Sequence, residues 1–198
     1  MSANMQIDDI LQTMVIRSAR LILRPMTVED ITPAYLAWLN DPVVTKGLEI
    51  RHQEQTYNTA CAYIEAHLKD TANSRYWGIF EAQRMLHVGT VNLNDIHLLY
   101  KRADISFVIG HPETQGKGFA TEAVHAVCNY AFSIMGLHRL TGGHYESNTG
   151  SMRVFQKNNF TLEGRRRQHI INVDGEREDS LIYGLLASEF QPQMTFCR

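Results

Sequence analysis

Cysteine is scarce in this chain of 198 residues: there are three, Cys61, Cys128 and Cys197. They lie far apart and form no CxxC pair, so neither a disulfide framework nor a cysteine-built zinc site is encoded, and they read as reduced thiols. An excess of one charge is missing too. Nineteen Lys and Arg against twenty-one Asp and Glu leave a net charge of −2. Affinity for a phosphate backbone rests on surplus cations, so a general nucleic-acid partner is excluded. No apolar run approaches the ~18 residues of a membrane span. The opening stretch, MSANMQIDDILQTMVIRSAR, has acids where a secretory leader needs basic residues, so a cytoplasmic protein is expected. The nine histidines make no HExxH and no close i, i+4 pair, and no metal is expected. Linker composition and internal repeats are lacking as well. The expectation is an N-terminal arm over 1–15, one domain over 16–190 and a C-terminal tail over 191–198.

What is present is an ordinary globular composition, 44% apolar and 20% charged. A chain of this length buries about 70% of its unfolded surface, enough for a sizeable core. Ser18–Arg24 alternates, with Ala19, Leu21 and Leu23 on one side, and predicts a strand ended by Pro25. Residues 28–31 predict a separate turn, with Thr32-Pro33 as cap and first position of a helix that Asp41-Pro42 closes. Tyr57, Cys61, Ile64 and Leu68 predict one face of a second helix. Then Arg75–Glu81, Met85–Asn94 and Ala103–Gly110 read as three successive strands. The longest helical pattern follows residue 115. Ala120, Ala123, Val124, Val127, Ala131, Ile134 and Met135 line its apolar face, and Thr121, Glu122, His125, Asn129 and Ser133 the polar one. Gly136 ends it. Leu137–Tyr145, Phe160–Ile171 and Ser180–Leu186 predict strands, with a short helix over Thr149–Asn158. That order is α/β (α+β), a mixed, mostly antiparallel sheet of about seven strands with helices on both faces.

The segment His111-Pro112-Glu113-Thr114-Gln115-Gly116-Lys117-Gly118-Phe119-Ala120-Thr121 joins a strand to the long helix. A helix start presents unpaired N–H groups and a positive dipole end, which suits a phosphate or pyrophosphate. Small residues at 116, 118 and 120 allow close approach, and Lys117 adds a cation. A Walker loop requires Ser or Thr after the lysine, where Gly118 stands; a dinucleotide fingerprint requires a third glycine, where Thr121 stands. From spacing alone, a turn that binds nothing stays open beside a phosphate site.

Gln115-Gly116-Lys117-Gly118-Phe119-Ala120 resembles the [Q/R]-x-x-G-x-[G/A] loop of the GNAT N-acetyltransferases. Three further segments extend the resemblance over roughly residues 16–190: Asn148-Thr149-Gly150-Ser151…Phe155-Gln156-Lys157-Asn158-Asn159-Phe160; Arg20–Pro25 followed by Trp38-Leu39-Asn40-Asp41-Pro42; and Leu162-Glu163-Gly164 with Asp179 and Tyr183. Together they are similar to the branch of the ribosomal-protein alanine N-acetyltransferases (RimJ/RimL-like). The resemblance implies direct transfer of acetyl from acetyl-CoA to an amine without a metal. It implies a sheet splayed between strands four and five, the pantetheine arm lying in the gap against the backbone of Phe107, Val108 and Ile109. Gln115, Gly116, Lys117, Gly118, Phe119, Ala120 and Thr121 would hold the pyrophosphate. Asn148 would cap a helix and bind the pantetheine. Ser151 would face the sulfur and protonate the leaving thiolate.

Two departures stand out. Where many relatives have an acidic tyrosine, this chain has Phe155, which keeps a cofactor contact but has no proton to give. Asn159 replaces a glycine, and asparagine tolerates the left-handed conformation. An alkylammonium is about 0.1% neutral at pH 7, so a base helps. Glu146 and Asp104 are the leading candidates, His169 the third. Arg165-Arg166-Arg167 is a solvated strand end or a hold for an acidic acceptor. The acceptor implied is a protein N-terminus such as that of a ribosomal protein, a small amine or an amino sugar, handled by a monomer or homodimer. A non-catalytic acetyl-CoA-binding regulatory module and a nucleotide-phosphate hydrolase are the competing readings.

Overall fold

The computed structural model describes residues 15–192. The expected arm over 1–15 and tail over 191–198 therefore lie outside the described residues, apart from Val15, Gln191 and Pro192. Eight strands form one sheet: β1 (Ile16–Arg17), β2 (Leu21–Pro25), β3 (Arg75–Glu81), β4 (Leu86–His97), β5 (Arg102–Ile109), β6 (Arg139–Tyr145), β7 (Thr161–Ile171) and β8 (Arg177–Leu186). Their order is β1-β2-β3-β4-β5-β6-β8-β7. Every pairing is antiparallel except β5 with β6. That parallel pair is short: Arg102, Ala103 and Asp104 sit opposite Arg139, Leu140 and Thr141. Beyond Asp104 the two strands part, and this is the expected splay.

Five α-helices complete the fold: α1 (Pro33–Asn40), α2 (Pro42–Thr45), α3 (Tyr57–Lys69), α4 (Phe119–Asn129) and α5 (Thr149–Lys157). Their starts are chemically specified. Thr32 Oγ1 accepts from Tyr35 N at 3.1 Å, and Pro33 sits in the first turn, where its missing N–H costs nothing. Asp41 ends α1 and caps α2 by accepting from Val43 N at 2.8 Å. Strand alternation divides the core between two faces. Leu21, Leu23, Trp77 and Ile79 meet Ala123, Val124 and Val127 of α4. On the other face Met26 joins Tyr35 and Trp38 of α1 and Ala60 and Ile64 of α3, with Tyr76 packed against them.

Several expectations are corrected. Strand β2 begins at Leu21, because Ser18 N turns back to the Leu21 carbonyl and Arg20 N is drawn to Glu122 Oε1. The two-residue β1 makes the count eight. Strand β4 runs on to His97 through a bulge at Asp95, whose φ is +48°. The α3 stripe is Ala60 and Ile64; Tyr57 and Leu68 are about half exposed, at 51% and 46%. The polar face of α4 is buried in its first half: Glu122 is fully enclosed and His125 is 7% exposed. The β1–β2 turn covers Glu122, while Phe190 and the Pro192 carbonyl cover His125. A π turn at Tyr130–Ile134 then adds a residue to the helical register and rotates Ile134 out to solvent. The short α2 and a 3-10 turn at Glu49–His52 were not expected.

Candidate active site

The chain leaves β5 at Ile109, makes a 3-10 turn at Pro112–Thr114 and enters α4 at Phe119. Gly116 and Gly118 take φ of +75° and +81°, a region that favours glycine. A Cβ on Gly116 would meet nothing within 4 Å, so the loop faces open space there. The Arg20 side chain braces it from the β1–β2 turn: Nη1 donates to the Lys117 carbonyl at 3.0 Å, Nε donates to Glu122 Oε2 at 2.7 Å, and the guanidinium lies 4.8 Å from the Phe119 ring centre. The free N–H groups of the first turn of α4 thus open onto a rigid, uncluttered cradle, suited to an anion.

Beside the loop the splay forms a cleft of about 440 Å³. Ile105–Ile109 of β5 form one wall, and Gly150, Ser151, Val154 and Phe155 of α5 the other. On β5, Phe107, Val108 and Ile109 pair with Val91, Thr90 and Gly89 of β4 on one edge only. The edge toward β6 has no strand past Asp104 and is open to an extended ligand. Asn148 caps α5, its Oδ1 accepting from Ser151 N at 3.1 Å. A Cβ on Gly47 would lie 2.6 Å from Asn148 Nδ2, so the segment after α2 presses directly on that cap. Phe155 is 1% exposed. Its ring packs against Phe107, Phe160 and Tyr183 at 5.1–5.6 Å between centres.

A second cleft of about 500 Å³ opens on the α1–α3 side of the gap. Tyr35, Leu39, Tyr63, Tyr76, Thr90, Asn92, Tyr145 and Leu48–Ile50 line it. The two clefts share Gly47, Leu48, Ser106, Phe107, Val108, Gly143 and His144. Several polar groups in the second cleft satisfy one another. Tyr35 and Tyr76 hydroxyls are 2.9 Å apart, and Ser106 Oγ donates to Asn92 Oδ1 at 2.6 Å. Desolvation and the neighbouring Tyr76 push the Tyr63 phenol up to about 12, and burial raises Tyr35, Tyr76 and Tyr145 as well. These phenols stay neutral over the working pH range. Glu49 is the one charged side chain of this lining, and the Tyr145 hydroxyl donates to it.

The loop residues other than Lys117, the β5 backbone, Asn148, Ser151 and Phe155 thus come together around the first cleft. The proposed bases do not. Asp104 sits at the paired foot of β5, Glu146 is held by Arg165 at 2.6 Å, and His169 is on the exposed β7; none lines either cleft. Of the three arginines, Arg165 is engaged by Glu146 and Asp179. Asn159 has φ of +61°, as its tolerance of that region allows. Sequence reading missed Gly47, Glu49, His144 and Tyr145. Only the Gly142-Gly143 pair inside a strand signalled a close approach there.

The family model of the acetyltransferase (GNAT) domain matches residues 20–161. The chain belongs to the GNAT acetyltransferase family. As a GNAT enzyme it is an acetyl-CoA-dependent N-acetyltransferase. An uncharacterized N-acetyltransferase, YoaA of Bacillus subtilis (strain 168), is 29% identical over 175 residues, 87% of this chain and 96% of that protein. A Vibrio cholerae spermidine N-acetyltransferase solved with CoA and spermine has the same fold, with a TM-score of 0.76 at 22% identity over 87% of this chain and 98% of that one. RimL, a ribosomal alpha-N-protein acetyltransferase solved with coenzyme A, gives 0.75 at 20% identity, again over 87% and 98%. These two likenesses concern the fold of the GNAT domain. Among the described residues no helix is long and apolar enough to cross a membrane.

Proposed function

We propose that this GNAT enzyme acetylates a single primary amine on an uncharged body, the N-terminus of a protein such as a ribosomal protein being the leading case. The observation that carries this reading is the second cleft: apolar and phenolic walls with one carboxylate, Glu49. A polyamine brings several ammonium groups, and each one taken from water without a partner costs free energy. One carboxylate compensates one of them. A peptide end brings one amine followed by neutral backbone that the hydroxyl and amide groups of Ser106, Asn92 and Tyr145 suit.

Acetyl-CoA then fills the first cleft. Its pyrophosphate lies on Gly116–Ala120 and the start of α4, and its pantetheine lies along Phe107–Ile109 and Asn148. Backbone N–H groups of β5 stabilise the oxyanion formed when the amine attacks the thioester carbonyl. Ser151, in the first turn of α5, protonates the thiolate as the C–S bond breaks. An acceptor panel read by thiol release tests the substrate class. Peptides beginning Ser or Ala are expected to exceed spermidine at least ~10-fold in kcat/KM, or ~1.4 kcal/mol. A preference for spermidine would overturn the reading.

The cosubstrate site has its own test. Gly118→Asp puts a carboxylate where the pyrophosphate lies, at a position with space for a side chain but φ of +81°. Calorimetry should show acetyl-CoA affinity falling at least ~10-fold, or ~1.4 kcal/mol. Unchanged affinity in the folded variant would remove the loop from the site.

A further inference from the structure

We infer that His144 takes the proton from the acceptor amine. The inference rests on the amine-acetylating reading above and supplies the base that Asp104, Glu146 and His169 do not. His144 stands on β6 beside the gap and lines both clefts, whereas Ser151 lines the first alone and Glu49 the second alone. The amine and the thioester can meet only where the clefts join, so a group serving the amine at that moment belongs there.

The ring is 6% exposed. Its Nδ1 lies 2.7 Å from the carbonyl of Tyr145. A carbonyl only accepts, so Nδ1 carries the hydrogen, and in the neutral ring Nε2 holds a lone pair. Nε2 is buried and has no hydrogen-bond partner among the described residues. An unmatched buried acceptor costs about 1–3 kcal/mol. A packing role does not require that cost, since a phenyl ring would fill the space; a proton-accepting role does. The ring is also held in orientation, stacked on Tyr183 at 5.3 Å and 26° and facing Phe155 at 6.2 Å and 16°. Imidazole is the side chain whose basicity suits proton transfer at neutral pH.

Nε2 accepts one proton from the ammonium and later releases it to solvent. The freed nitrogen pair attacks the thioester carbon, the N–C bond forms and the carbonyl pair moves to oxygen. That pair returns, the C–S bond breaks, and the second nitrogen proton ends on the sulfur. Tyr183 stacks on the ring from β8, and the titratable and charged groups that share the clefts with it are Glu49, Tyr35, Tyr63, Tyr76 and Tyr145 in the second and Lys46, Arg153 and Lys157 in the first.

His144→Gln in the full chain tests this, using whichever amine the wild type accepts. Absence of any accepted amine would show in the wild type and defeat the underlying reading instead. Acetyl-CoA affinity by calorimetry is expected to stay within about 2-fold while turnover at pH 7 falls about 100-fold. The deficit should shrink as pH rises toward 10, where the amine deprotonates without help. Ser151→Ala should lower turnover with no such narrowing. Turnover within about 3-fold of wild type, or a loss that is the same at every pH, would overturn the inference. If the glutamine variant does not fold, His144→Asn keeps an amide donor for the Tyr145 carbonyl and answers the same question by the same pH comparison.

Discussion

Urea unfolding of Glu122→Ala is expected to show a loss of about 3 kcal/mol, at the lower end for breaking a buried ion pair. Glu122 is fully enclosed, and its carboxylate is fully used. Oε1 accepts from Ser18 Oγ and from Arg20 N, each at 2.7 Å, and Oε2 accepts from Arg20 Nε at 2.7 Å. Alanine strands the Arg20 backbone N–H and leaves a void in the first turn of α4, where a carboxylate is also favoured by the helix dipole. The Arg20 side chain is 36% exposed and can turn to water, which keeps the loss from reaching the upper end. A functional cost accompanies the structural one. Arg20 also holds the Lys117 carbonyl, so releasing it slackens the glycine loop and should weaken acetyl-CoA binding. A loss below ~1 kcal/mol would place this pair with ordinary surface bridges.

Phe155→Ala should cost ~3–5 kcal/mol, the range for a buried aromatic cut to alanine. The ring touches three other aromatic rings, and its tip rests on the strand: a Cβ at Gly142 would lie 2.6 Å from both Cε1 and Cζ. The same packing makes Phe155→Tyr unfavourable by ~1–3 kcal/mol, because the added hydroxyl must be fitted at the end of a ring whose edge already lies against Gly142. Phenylalanine thus suits this packing, and it has no proton to give, so an acid for the thiolate must come from elsewhere in this chain. Thermal unfolding of both variants checks the order; a tyrosine variant as stable as wild type would contradict it.

The first cleft was legible because its parts are local. Loop, helix start and cap are contiguous segments whose turn and capping chemistry is written at fixed offsets, as Gly116, Gly118 and Asn148 illustrate. The second cleft was not. Tyr35, Tyr63, Tyr76 and Tyr145 come from four elements, and no spacing along the chain announces that they face one space. His144 failed to register for the same reason: alternation within β6 says which side it faces but not that the neighbouring strand has left. The burial of Glu122 depended on the β1–β2 turn, about a hundred positions away, folding over a helix face that reads as polar. Helical periodicity also carries no mark of a π turn, so Ile134 was assigned to the wrong side.

The brevity of the β5–β6 seam bears on how the chain comes together. Three residue pairs join segments far apart in sequence, and few hydrogen bonds repay the closure entropy of the connection between them. Helix α4 lies in that connection and packs on β1, β2 and β5 of one half and on α5 of the other. On contact-order grounds the expected order is that the antiparallel halves zip up from neighbouring strands, α4 docks, and the seam shuts after them. Native-state hydrogen exchange along β6 checks this, with the amides of the seam expected to exchange faster than those paired with β8. The enzyme's working gap coincides with the short join between the two halves of its own sheet.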